Sequence, residues 1–65
     1  MRIPTKAELN QVVEAAKRFI RGNSAEVAAV HCAGQKAWME ANWHPGVAKQ
    51  ATQLMREAYR ARFRK

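Results

Sequence analysis

His31, Cys32 and His44 are the side chains in this chain best suited to nucleophilic or metal chemistry. Neither use fits their spacing. His31 and Cys32 are adjacent, so on a helix they point in different directions, whereas a Cys–His nucleophilic pair must lie within hydrogen-bond reach. Cys32 could meet only His44, with no third group to orient the base. As ligands, the three follow no familiar zinc spacing. Paired carboxylates are missing too: the five acids are all glutamates, at 8, 14, 26, 40 and 57, and there is no aspartate. The three glycines stand alone at 22, 34 and 46, so no phosphate-cradling loop exists. An enzyme, a metal site and a cofactor are therefore not expected. Cys32 reads as a small buried filler and His31 as a packed helix residue.

The remaining chemistry is charge. The chain ends REAYRARFRK, where Arg56, Arg60, Arg62, Arg64 and Lys65 are cationic and only Glu57 is acidic. On a helix, Lys49, Arg56, Arg60 and Arg64 fall on one line together with Gln53, and Tyr59 and Phe63 flank that line on one side. Such a line can neutralise phosphates and release their counterions, and the aromatic rings could stack on unpaired bases. Arginines in a last helical turn also suit the helix dipole and keep a small protein soluble. Here they extend over more than two turns, which favours nucleic-acid binding. A helix-turn-helix reader is not expected, because placing Gly22 or Gly46 in its turn puts Arg18 or Asn42 where a small residue is needed. Backbone binding to DNA or RNA, single strands or structured RNA fit better than groove reading.

Two other classes compete. Trp43 and His44 sit in a turn, and with Met39 and Phe63 they could form a docking patch for a larger, acidic protein surface, since Trp, Tyr and Arg are common interface anchors. Alternatively, Trp43 folds back as a lid on the core. A membrane-surface helix ranks below both, because the apolar face of the last helix is mostly alanine and needed for folding.

The positioning elements must come from 65 residues, which make a single domain near the lower size limit for independent folding. One cysteine excludes an internal disulfide and suits a reducing, cytoplasmic setting. No apolar run is long enough to span a membrane, and MRIPTKAELN lacks the apolar stretch of a secretion signal. Twelve Lys and Arg against five Glu leave a net charge of +7, which attracts nucleic acid, acidic protein surfaces or anionic lipid.

Thr5 and Glu8 have capping-box spacing and open a helix over 6–21, with Leu9, Val12, Val13, Ala16, Phe19 and Ile20 on its buried face. Gly22-Asn23 closes it. A second helix covers 25–41, capped by Asn23 or Ser24. Its main apolar face is Val27, Val30, His31, Gly34, Ala37, Trp38 and Ala41, with Ala28, Cys32 and Met39 as a smaller strip. Apolar on two sides, it is expected to be the central helix. Pro45 starts a third helix over 46–63, with Val47, Ala51, Leu54, Met55, Ala58 and Ala61 buried. No strand pattern appears. The expectation is an all-α, up-down three-helix bundle. The alternative architecture is an intertwined helical homodimer, suggested by the thin, alanine-rich core. No motif is specific enough to carry a family resemblance.

Overall fold

The computed structural model describes residues 2–64. Three helices pack against one another: α1 (Lys6–Gly22), α2 (Ala25–Asn42) and α3 (Pro45–Phe63). The short connections, Asn23-Ser24 and Trp43-His44, require an up-down path. Accordingly, Lys17, Ile20 and Arg21 near the end of α1 lie beside Ala58, Ala61 and Arg62 near the end of α3. No described helix is long and apolar enough to cross a membrane.

Each helix start is satisfied by a side chain. Thr5 Oγ1 accepts from the Glu8 N–H at 3.1 Å, and Glu8 Oε1 accepts from the Thr5 N–H at 3.0 Å, which completes the capping box. Ser24 Oγ caps α2 by accepting from the Val27 N–H. His44 Nδ1 caps α3 by accepting from the Gly46 N–H at 3.1 Å, with Pro45 at the first helical position. The end of α1 differs from the expected glycine stop. No glycine among the described residues has positive φ. Instead Asn23 is extended and its side-chain amide donates to the Phe19 carbonyl at 2.9 Å, leaving no need for a left-handed residue.

The N-terminal segment is tied down at both ends. Arg2 N–H donates to the Asn42 carbonyl, and the Arg2 carbonyl accepts from the His44 N–H at 2.8 Å, so the segment lies against the α2–α3 turn. The Arg2 guanidinium grips both Glu8 oxygens, at 3.0 and 2.6 Å. That fork, with the Thr5 N–H second, holds the Glu8 carboxyl down to about 2 from 4.5. A depressed carboxyl contributes stability above its unfolded pKa and loses it as pH falls through the folded value. Glu8→Gln should therefore flatten the fall in melting temperature between about pH 4.5 and 2 and leave the neutral-pH capping hydrogen bond largely intact. Thermal melts across that window check it; an unchanged acid slope would show that the fork contributes nothing.

The core departs from the sequence reading in three places. Nine residues make up the buried core: Val13, Ala16, Ile20, Ala28, Met39, Trp43, Ala48, Ala51 and Met55. On α2 the smaller strip wins. Ala28 and Met39 are buried and Cys32 packs against the core cluster that holds Met39, while the expected main face points mostly outward, with Val30 73% exposed and Val27 and Trp38 each 46%. Nor is α2 central. It is α3 that packs closely on both partners, and α1 and α2 share the least contact. On α3, Leu54 and Ala61 are exposed and Ala48 is buried instead. The reason is Trp43. Its indole belongs to the cluster of Met39, Ala48, Ala51 and Met55, and a side chain of that volume fits only where α3 presents alanines.

Gly34 lies on the outward face of α2, and a Cβ built there meets no atom within 4 Å. The packing role expected of it within the chain does not exist. Gly34→Ala should raise stability by about 0.5–1 kcal/mol, the helix-propensity difference between the two residues. Urea titration would register this; a loss of stability would mean that the face is covered in solution.

Candidate nucleic-acid interface

α3 positions the basic line because its buried residues, Ala48, Ala51 and Met55, leave Lys49, Gln53, Arg56, Arg60 and Arg64 exposed. Among the described residues, none of Lys49, Arg56, Arg60 and Arg64 lies within ion-pair distance of a carboxylate; the three ion pairs are Arg2–Glu8, Lys17–Glu14 and Lys36–Glu40. The four cations thus keep their full charge for a ligand.

The tertiary structure adds what the helical line alone lacks, a groove. Two adjoining hollows run between α2 and α3. The first is bounded by Lys36, Glu40, Pro45, Lys49 and Arg56. The second has Ala29, Cys32, Ala33 and Met55 as its apolar lining, with Lys36, Arg56 and Tyr59 at its edges. Beyond them a third hollow is formed by Tyr59, Arg60, Phe63 and Arg64. Lys36 was missed by sequence reasoning, since it sits on a different helix from the basic line and only packing brings it opposite Arg56. It lies 3.8 Å from Glu40, an exposed pair that solvent largely screens.

Tyr59 and Phe63 are half-buried, with ring centroids 4.9 Å apart. The Tyr59 hydroxyl donates to the Ala25 carbonyl at 3.2 Å and anchors α3 to the start of α2. Both rings therefore form a wall of the groove rather than free-standing platforms. Arg62 stays near the apolar side, its guanidinium 5.2 Å from the Phe63 ring.

The docking patch expected at the turn is not available. Met39 is 0% and Trp43 1% exposed, so neither can anchor a partner. The lid reading of Trp43 agrees with this burial. His44 is exposed, but its ring is occupied as the cap of α3. His31, Cys32 and His44 do not come together: His31 stacks on Phe19 with centroids 4.1 Å apart, while Cys32 lines the α2–α3 groove. Partial burial pushes the Cys32 thiol up, away from the thiolate a nucleophile needs. Among the described residues no three His, Cys, Asp or Glu side chains form a metal cluster.

No family model, no curated protein and no solved structure matches this chain.

Proposed function

We propose that this protein is a small, non-catalytic, cytoplasmic binder of nucleic acid that holds its ligand mainly through phosphate contacts. The observation that carries the reading is the set of cations on α3 and its C-cap, Lys49, Arg56, Arg60 and Arg64, which have no ion-pair partner among the described residues and are faced across a groove by Lys36. Cations aligned along about 20 Å of helix match a run of phosphates, and their release of counterions supplies affinity without base contacts. Tyr59 and Phe63 add aromatic surface beside them. Fluorescence anisotropy with labelled duplex DNA, single-stranded DNA and RNA over a salt series tests it. Sub-micromolar binding, with log affinity falling steeply against log salt, is the expected result. Weak binding of all three at low salt would overturn it.

A second reading, a protein-binding module, is favoured by the outward face of α2. From Val27 through Val30, Gly34, Ala37, Trp38 and Ala41 that face carries no charge, although the chain as a whole is +7. An uncharged face of this kind suits a second copy of the same chain in a small, weak interface. Sedimentation over a concentration series, with Val30→Lys as the disrupting variant, separates it from the first reading. A monomer at every concentration sinks it.

A further inference from the structure

Between α2 and α3 the first two hollows join into one channel. They share Lys36, Thr52 and Arg56, so the first passes into the second without a break, and beyond the Tyr59 side chain a separate surface hollow of Tyr59, Arg60, Phe63 and Arg64 continues the line along α3 to its C-cap. The channel has two chemically distinct parts. Its floor is apolar, formed by Ala29, Cys32 and Ala33 over the buried Met55, and its rims carry Lys36 from α2 and Lys49 and Arg56 from α3. One carboxylate, Glu40, stands on the α2 rim near the Pro45 end, and the stretch from Arg56 to Arg64 has none among its lining residues.

A duplex presents phosphates outward and hides its base faces, so it would touch the rims and leave the floor empty. A double helix is too broad to enter a hollow bounded by Lys36 and Arg56, whereas a single row of unpaired bases can lie along its floor. A single strand matches both parts. Its phosphates meet the rim cations, and its unpaired bases cover apolar floor and the Tyr59 and Phe63 rings, a combination that tolerates any sequence. We infer that the α2–α3 groove is a single-strand site, with Lys36, Lys49, Arg56, Arg60 and Arg64 on the phosphates and the Ala29–Cys32–Ala33 floor under the bases. This rests on the nucleic-acid reading above and narrows it to one ligand class and one path. From Pro45 to Arg64 the path is about 28 Å long at the helical rise. At roughly 6 Å per extended phosphate it holds about five nucleotides.

Cys32 makes the path testable, because it is the only cysteine in the chain and lies on the floor. The experiment follows maleimide labelling of Cys32 at mildly alkaline pH, together with anisotropy for single strands of increasing length and for a duplex. The site requires three results: affinity that stops rising at about five to six nucleotides, a single strand at least about tenfold tighter than duplex at equal salt, and Cys32 labelling slowed at least about fivefold by saturating single strand. Ala33→Glu, an exposed substitution on a helix and thus harmless to folding, should weaken the single strand at least about tenfold. Duplex binding as tight as single strand, unprotected Cys32 or unaltered binding by Ala33→Glu overturns the groove site and leaves general polyanion binding standing. Failure of every oligonucleotide to bind at low salt overturns both.

Discussion

Trp43→Ala should bring the chain close to its unfolding midpoint at 25 °C. The buried core has nine residues, and four of them, Ala16, Ala28, Ala48 and Ala51, contribute little area each. The indole is the largest side chain among them. Its residue also ends α2, where the Trp43 N–H donates to the Met39 carbonyl at 2.7 Å, and its neighbours Asn42 and His44 hold Arg2. Truncating a buried aromatic costs about 3–5 kcal/mol. A domain of this size has a total stability of about 3–5 kcal/mol, so the two nearly cancel. Far-ultraviolet circular dichroism should show about half of the helix signal lost, while Trp43→Phe keeps a cooperative melt at lower temperature. Retention of the wild-type melt by Trp43→Ala would mean that the indole is not the organiser of the core. Because Trp43 is structural, its removal does not separate a nucleic-acid role from a protein-docking role. Val30, which is exposed, does.

The second large effect is on binding. Arg56→Glu with Arg60→Glu should weaken nucleic-acid binding on the order of 100-fold at 0.1 M salt. Two lost phosphate contacts remove about 25-fold through counterion release, at a slope of roughly 0.7 per contact on a single strand, and two new carboxylates repel the backbone as well. Both residues are exposed and outside the ion pairs, so folding is spared. The log–log salt slope should become shallower by at least about 1.4. Arg18→Glu, an exposed change on α1, is the control for net charge alone. If it weakens binding as much as the double variant does, the ligand responds to the general field and not to the α3 line.

The helices were legible because their signals are local. Thr5 and Glu8, Ser24, and Pro45 after His44 mark starts that depend only on side chains within reach of the next turn, and all three starts fall within a residue of where the pattern puts them. The basic line was legible for the same reason, since residues three and four apart on a helix share a face whatever surrounds it. The α2 face was not. Val27, Val30, Gly34 and Trp38 form the stronger apolar pattern, but periodicity says only that a helix has an apolar side, not which side meets neighbours. Where a helix has two apolar strips, the choice depends on the volume offered by the others.

By itself, then, the sequence determined that this is a basic, all-helical chain with three helices, and which face of α3 carries its cations. The tertiary structure alone decided that Trp43 fills the core, that α3 and not α2 is central, and that Lys36 and Cys32 line a groove with Arg56. The physical reason is steric: one indole must lie over the alanines of α3, and seating it turns the small strip of α2 inward and its larger residues to solvent.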